Sequence, residues 1–176
     1  MDSTNILKKE HERILVVVDA LEKECGSLES GKTINEDFFR ESIDFIRNYA
    51  DKFHHAKEED ILFKEFCKSA EEGEVHCNPV DQMLQEHDVG RNFVKGIEEG
   101  LNERDNEKVI KNSRGYIQLI REHIFKEDDI LYPMADEVLS KGVQEEMLKK
   151  FKNIGDKRKK EIGKYLDLVE GLEGGK

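Results

Sequence analysis

The sequence has no tryptophan, only two prolines and an aromatic fraction of 7%, while 39% of its residues are charged. This composition is typical of a helical bundle. Basic residues are in the minority, and the net charge of −11 argues against binding nucleic acid or an anionic membrane. No apolar run approaches the roughly 18 residues that a membrane-spanning helix needs. The length of 176 residues fits one domain, residues 1–176, with a sizeable core.

The N-terminus and the cysteines indicate a cytoplasmic protein. Residues 1–5 have neither the basic flank nor the apolar core of a signal peptide. The three cysteines, Cys25, Cys67 and Cys77, form no C-x-x-C pair, and their odd number argues against a disulfide framework. We interpret them as small residues near helix ends, with a redox role for one of them as the alternative.

Two stretches of the chain repeat one another. The first is FHHAKEEDILF, residues 53–63, and the second is HIFKEDDILY, residues 123–132. Aligned on their shared Asp-Ile-Leu, both contain His-x-x-x-Glu, formed by His54 with Glu58 and by His123 with Glu127. Because residues four apart lie on the same face of a helix, each stretch can direct an imidazole and a carboxylate to one point.

A Glu-His pair precedes each repeated stretch, and its histidine completes a candidate metal site. The pairs are Glu10-His11 and Glu86-His87. Four inward-facing histidines on four helices, two of them followed by a glutamate, are typical of a metal site and not of an ordinary core. Imidazole and carboxylate ligands without a thiolate suit iron or manganese, whereas structural zinc usually takes four protein ligands. The candidate ligands are His11, His54, Glu58, His87, His123 and Glu127.

The second helix carries two adjacent histidines and two adjacent glutamates, and only one of each pair is expected to bind the metal. With about 100° per residue and Ile46 at zero, His54 falls at about 80° and Glu58 at about 120°. His55 falls at about 180°, pointing away from the apolar face, and Glu59 at about 220°. Both the angles and the repeat favour His54 and Glu58, and ligation by His55 and Glu59 is the alternative.

Several neighbours of the candidate ligands have two interpretations. Glu10 and Glu86 are either partners of the imidazole N–H groups or charges on the helix surface. His55, Glu59 and Asp128 are expected to be solvated or to support the ligands from outside. Tyr116 either packs in the core or hydrogen-bonds an oxygen held by the metal.

The apolar spacing predicts an all-α fold. We expect a helix from Ser3 or Thr4 to about residue 28, and further helices at about 35–70, 78–101 and from about 105. An additional C-terminal helix is expected at about 143–170, outside a bundle of about residues 4–140. The apolar stripe of the fourth helix contains Tyr116, Leu119, Ile120, His123, Glu127, Ile130, Leu131 and Met134.

The chain resembles the hemerythrin-like family, also called the HHE cation-binding domain. The resemblance is carried by His11, by residues 53–63, by EHDVGR at 86–91 and by HIFKEDDILYPMA at 123–135, and it covers roughly residues 6–138. It implies an up-down four-helix bundle around two non-haem iron ions joined by an oxo or hydroxo bridge. It also implies that all six candidate ligands hold this centre.

The chain departs from the invertebrate oxygen carriers of that family. Arg91 stands where those proteins have a fifth ligand histidine, and their last ligand helix has a longer spacing that ends in aspartate. The site is more similar to four-histidine, two-glutamate members, such as the iron-centre repair proteins and the iron-sensing domain of a ubiquitin-ligase subunit. Arg91 either places positive charge near an open metal position or pairs with a surface acid.

These observations lead to one main functional hypothesis and two alternatives. We expect a non-haem di-iron protein that binds O₂ or a related small molecule, in sensing, storage or protection. One alternative is an enzyme that acts on nitric oxide or peroxide, or a donor of iron for cluster repair. The other is an interaction module ordered by metal, as in an iron sensor. The expected partner is a diatomic ligand or peroxide, and the sequence indicates no particular protein partner.

Overall fold

The computed structural model describes residues 3–71 and 77–174, and the regular structure of that part is entirely helical. This confirms the predicted all-α fold. Six continuous helices follow one another, and the fourth extends without a break to Val138. They are α1 (Ser3–Glu29), α2 (Glu36 to Glu71), α3 (Asn78–Glu103), α4 (Asn106 to Val138), α5 (Lys141–Lys157) and α6 (Lys159–Gly174).

Helices α2 and α4 change their winding where the repeated stretches lie. Helix α2 is π-helical over Ile46–His55 and again over Glu58–Leu62, and helix α4 is π-helical over Glu127–Leu131. A π-helix bonds residues five apart, so each residue advances through a smaller angle than the roughly 100° of an α-helix. The face predicted from α-helical spacing is therefore shifted, and Ile130, expected in the buried stripe, is 49% exposed.

Helices α3 and α4 form an antiparallel pair with a very short connection. Arg104 ends α3 in the left-handed conformation, with φ of 56°, and the Asp105 side chain caps α4 by accepting from the Lys108 amide at 2.9 Å. So short a connection makes consecutive helices antiparallel neighbours. Their axes approach closely, because a Cβ at Gly96 would lie 2.2 Å from the Asn112 side chain.

Two apolar clusters divide the interior between them. The larger contains Ile14, Phe45 and Ile120, and the smaller contains Leu7 and Leu62, all at most 6% exposed. The predicted metal ligands belong to neither cluster and form a buried polar layer. This arrangement places the polar groups inside the bundle, where they need partners to offset their lost hydration.

The C-terminal part is two helices and not the single one predicted. The break is at Arg158, whose guanidinium pairs with Glu161 at 2.9 Å and donates to the backbone carbonyl of Lys52. Helix α5 contributes Phe151 to the smaller apolar cluster, and helix α6 contributes Tyr165 to the larger one. The C-terminal pair therefore extends both cores, in addition to the predicted four-helix bundle.

The expectation of no disulfide was wrong for one pair of cysteines. Cys67 and Cys77 form a disulfide with a Cα–Cα separation of 5.3 Å, joining the last turns of α2 to the start of α3. Cys25 is a buried free thiol. His76 lies outside the described residues. Within the described ranges, no helix is both long and apolar enough to cross a membrane.

Candidate metal centre

The six predicted ligands are buried and close together, although they come from four helices. None is more than 2% exposed. His11, His54, Glu58 and Glu127 each offer a donor atom within 4.8 Å of the others. His87 and His123 lie in an adjacent cluster, with their Nε2 atoms 3.1 Å apart. The fold thus brings together every residue of the predicted set.

Each glutamate lies between a histidine of one cluster and a histidine of the other. The Glu58 carboxylate has one oxygen 3.6 Å from His54 Nε2 and the other 3.7 Å from His87 Nε2. Glu127 Oε2 lies 3.3 Å from His11 Nε2 and 3.2 Å from His123 Nε2. Both carboxylates therefore lie within reach of both clusters.

The glutamate of each Glu-His pair supports a candidate ligand histidine on the next helix. His54 Nδ1 lies 3.0 Å from Glu10 Oε2, and His123 Nδ1 lies 2.9 Å from Glu86 Oε2. When a carboxylate accepts the Nδ1 proton, the ring presents its Nε2 lone pair to the centre. The structure therefore supports the interpretation in which Glu10 and Glu86 are partners of imidazole N–H groups.

Two further acids, each next in sequence to Glu58 or Glu127, support the remaining two histidines. In both cases the histidine belongs to the other half of the repeat. Asp128 accepts from His11 Nδ1 at 2.9 Å, and Glu59 accepts from His87 Nδ1 at 2.7 Å. Each half of the repeat therefore orients one histidine of its own and one of the other half. Glu59 acts as a supporting acid, as one of the two expectations had it.

His55 is part of the site, and the expectation that it points away was wrong. Its side chain is 7% exposed, its ring stacks on His87 at 3.7 Å, and it joins His87 and His123 in the second cluster. The cause is the π-helical segment that ends at His55, because its smaller angle per residue lets both His54 and His55 face inward. His55 is thus a seventh candidate donor.

The comparison with protein families agrees with this geometry. The Hemerythrin HHE cation binding domain matches residues 2–135. The chain belongs to this hemerythrin family. Its His and Glu clusters make it a metal-binding protein of that family. No curated protein and no solved structure gives a significant match.

The buried donors of this hemerythrin-family protein fit a metal centre. His54 Nε2, Glu58 Oε2 and both Glu127 oxygens are buried without a hydrogen bond of acceptable geometry among the described residues. Leaving such groups unpaired in the interior costs roughly 1–3 kcal/mol each, and more when they are charged. A cation coordinated by these atoms removes that cost, so the donor set fits the metal that the family binds.

Protons partly replace the cation when no metal is bound. Burial favours the neutral ring, but the hydrogen bond to Asp128 and the nearby Glu127 carboxylate raise the pKa of His11 to about 9. His123, similarly buried but close to the Glu127 charge, has its pKa raised to about 10. Burial and the nearby His11 charge hold the pKa of His54 well below its ordinary value. Metal binding must therefore displace protons from some ligands and not from others.

The pKa values of the two buried glutamates are shifted in opposite directions. Burial and the Glu127 charge raise the pKa of Glu58 well above its ordinary value. Burial acts the same way on Glu127, but the His123 and His11 charges outweigh it and hold the pKa of Glu127 well below its ordinary value. Two carboxylates this close need positive charge to ionise together, and a metal centre supplies that charge.

Tyr132 contacts the site and was not predicted from the sequence. Its hydroxyl donates to Glu58 Oε1, and its ring is stacked on His11 at 5.6 Å. The repeat contains the signal, because Asp-Ile-Leu is followed by Tyr132 in the second stretch and by Phe63 in the first. Phe63 lies against His87 at 6.1 Å and carries no hydroxyl. The two clusters therefore differ in the aromatic residue beside them.

Arg91 pairs with acids and not with the centre. Its guanidinium lies 2.7 Å from Asp51, 2.7 Å from Glu59 and 2.8 Å from Asp88. The ion pairs of one interpretation are present, and Arg91 also lies on the lining of a cavity that reaches His87 and His123, so the other interpretation stays open. Asp51 also lies 3.4 Å from His55 Nδ1, so this network reaches the second cluster.

Tyr116 is buried beside the second cluster with an unsatisfied hydroxyl. The side chain is 2% exposed and its oxygen has no hydrogen-bond partner among the described residues. It lines a cavity of about 400 Å³ that also reaches His55, His87 and His123. Tyr116 is therefore buried in the core, as one of its two interpretations predicts, and its hydroxyl is left available to a molecule in the cavity.

Proposed function

We propose that this protein holds two iron ions in a non-haem centre and binds O₂ or a related small molecule there. The observation that supports the proposal most directly is the position of Glu58 and Glu127, each between one histidine of each cluster. Iron bound there would supply redox chemistry toward diatomic ligands and peroxide. Nitrogen and oxygen donors without a thiolate favour iron or manganese over softer metals.

The protein side chains supply orientation and charge balance. Each of the four predicted histidine ligands has a carboxylate on Nδ1, which fixes its ring and raises its basicity as a ligand. Glu58 and Glu127, both fully buried, would together offset part of the positive charge of two bound cations.

The surroundings favour one side of the centre for an incoming molecule. Tyr132 occupies the side of His11 and Glu58. The cavity opens on the side of His87 and His123, where Phe63 replaces the tyrosine. We therefore place the small-molecule position beside the second cluster, with His55 as an additional donor next to it.

The decisive experiment is metal analysis of iron-loaded protein together with its absorption spectrum. We expect about two iron ions per chain and a spectrum that changes when the anaerobically reduced protein meets O₂. Glu127→Gln should lower the iron content to about one ion per chain or less. Glu137→Gln is the matched control, because Glu137 is exposed on the same helix ten residues further on.

Zinc in place of iron after loading with both metals, or no metal at all, would refute the di-iron proposal. Equal iron content in Glu127→Gln and Glu137→Gln would refute the role of Glu127. A spectral change that reverses when O₂ is removed supports binding. Irreversible oxidation would redirect the proposal to the second candidate.

A second candidate is an enzyme acting on peroxide or nitric oxide, or a donor of iron. The cavity beside the second cluster supports it, because a space of about 400 Å³ that reaches His55, His87 and His123 gives a small substrate access to that cluster. Turnover of peroxide or nitric oxide by the iron-loaded protein, lost in His123→Ala, would favour this candidate. The iron-sensor alternative stays a prediction, tested by whether metal raises the melting temperature.

The cytoplasmic location also remains a prediction. The cytosol keeps most thiols reduced, so there Cys67 and Cys77 would be expected as a dithiol or a redox-sensitive pair.

A further inference from the structure

The cavity beside the second metal cluster has the size of a site for an organic molecule. Its volume of about 400 Å³ falls within the roughly 300–1,000 Å³ of small-molecule pockets in proteins. Its apolar walls come from α2, α3 and α4 through Ile46, Val94, Leu119 and Ile120. The polar side chains His55, His87 and His123 lie together on its lining.

Tyr116 supplies a single hydrogen-bonding group on the apolar wall. Within the described part of the chain its hydroxyl is buried and has no partner, whereas buried tyrosine hydroxyls ordinarily have one. Burial also raises the pKa of Tyr116, so the group remains a neutral phenol at physiological pH. A bound molecule with one polar oxygen would satisfy this hydroxyl.

Both arginines on the cavity lining are already paired with carboxylates. Arg91 is shared by three carboxylates, and Arg47 forms a two-pronged pair with Glu98, with both contacts at 2.7 Å. Lys52, also on the lining, is exposed and donates to Asn48. An anionic ligand would have to compete with these carboxylates for the two arginines, so an uncharged ligand is favoured.

We propose that this cavity binds an uncharged organic molecule with an apolar body and one hydroxyl- or hydroperoxide-type oxygen. The oxygen lies near Tyr116 and the second cluster, and the body packs on the apolar wall. This inference rests on the proposed function in one respect, because the polar end of the molecule would lie next to the metal ion that the second cluster is proposed to hold. It goes further in naming the class of ligand.

Benzyl alcohol and benzoate test the proposal as probes of similar shape and different charge. Calorimetric titration of the iron-loaded protein should show one binding site for benzyl alcohol and at least tenfold weaker binding of benzoate. Tyr116→Phe should weaken benzyl alcohol binding roughly three- to tenfold, which corresponds to one hydrogen bond. Tyr165→Phe serves as the control, because the Tyr165 hydroxyl donates to Asp44 outside the cavity.

Gly90→Val tests the cavity itself. A Cβ at Gly90 would make ordinary contacts of 3.6 Å with Leu119 and 3.7 Å with Tyr116, and Gly90 lines the cavity, so the methyl groups of a valine there would take up cavity space. Gly90→Val should abolish benzyl alcohol binding. Gly155→Val, on α5 where a Cβ meets nothing within 4 Å, should leave binding unchanged.

Three results would overturn the inference: no binding of benzyl alcohol by the wild type, equal binding by Gly90→Val, or equally tight binding of benzoate. Unchanged affinity in Tyr116→Phe would overturn the role assigned to that hydroxyl. Iron analysis of each variant separates this inference from the proposed function. Tyr116-dependent binding by a protein that takes up no iron would support the cavity site and contradict the di-iron centre.

Discussion

The ion pair of Lys57 with Glu10, next to His54, should contribute far more to stability than the equivalent pair in the other half of the repeat, Lys126 with Glu86. Lys57 is a buried lysine whose ammonium group pairs with Glu10 and lies 3.5 Å above the Phe53 ring. The side chains of Lys57 and Glu10 are only 2% and 5% exposed. Lys126 and Glu86 form the same pair behind His123, but their side chains are 26% and 13% exposed.

Glu10→Gln removes the charge and keeps an oxygen that can accept from His54. Lys57 then either stays charged without a counter-ion or releases its proton inside the protein. Breaking a buried pair in this way costs about 3–5 kcal/mol, whereas a partly exposed pair is worth about 1 kcal/mol or less. We therefore expect Glu10→Gln to lower the free energy of unfolding by about 3–5 kcal/mol, and Glu86→Gln by about 1 kcal/mol.

The assay is urea unfolding of the metal-free protein, with a chelator present so that metal binding does not contribute. For a chain of this size the loss corresponds to a melting temperature lower by roughly 6–20 °C in Glu10→Gln. The double variant Glu10→Gln/Lys57→Met should recover at least half of the loss, because it leaves no buried charge unpaired.

Equal destabilisation by Glu10→Gln and Glu86→Gln would refute this reasoning, since the expected difference is derived from the deeper burial of Lys57 and Glu10. So would a double variant as unstable as Glu10→Gln alone. In that case the cost would come from the carboxylate itself and not from the charge left on Lys57.

Three further predictions concern protons, the disulfide and Tyr132. At pH 7, metal binding should release at least two protons, because the pKa of His11 is about 9 and that of His123 about 10 in the metal-free protein. The release, measured by calorimetry in buffers of different ionisation heat, should fall as the pH rises toward 10, and the metal-free protein should lose stability over the same interval. Cys77→Ser should lower the unfolding free energy by about 2–3 kcal/mol under non-reducing conditions, because it opens a loop with a sequence separation of 10. Tyr132→Phe should cost about 1–3 kcal/mol by removing the hydrogen bond to the buried Glu58.

Each of these predictions has its own control. Metal binding at pH 7 without proton release would mean that His11 and His123 are neutral before the metal arrives. Addition of a reductant should destabilise the wild type and leave Cys77→Ser unchanged, and equal effects on both would contradict the role of the disulfide. Tyr165→Phe removes a more exposed bond to Asp44, so a loss as large as in Tyr132→Phe would contradict the argument from burial.

The grouping of the candidate ligands was predictable because it depends on local spacing. His54 and Glu58, like His123 and Glu127, lie one turn apart whatever the rest of the chain does. The repeat supplied a second, independent alignment of the same residues. The supporting role of Glu10 was suggested by its place next to His11, although the histidine that it supports is on another helix.

The sequence could not predict the local winding of the helices. An angle of about 100° per residue turned His55 away from the centre, whereas the π-helical segment of Ile46–His55 brings it inside. The same cause exposes Ile130. The Cys67–Cys77 disulfide was missed for a related reason, because pairing depends on where two helix ends meet.

The sequence by itself determined the fold class and the family and selected six candidate ligands, because periodicity and i,i+4 spacing are properties of a single helix. Only the tertiary structure decided which acid supports which histidine, that His55 joins the second cluster, and that Tyr132 covers one side of the centre while a cavity opens on the other. These features arise from distances between side chains on different helices, and those distances exist only after the helices have packed together.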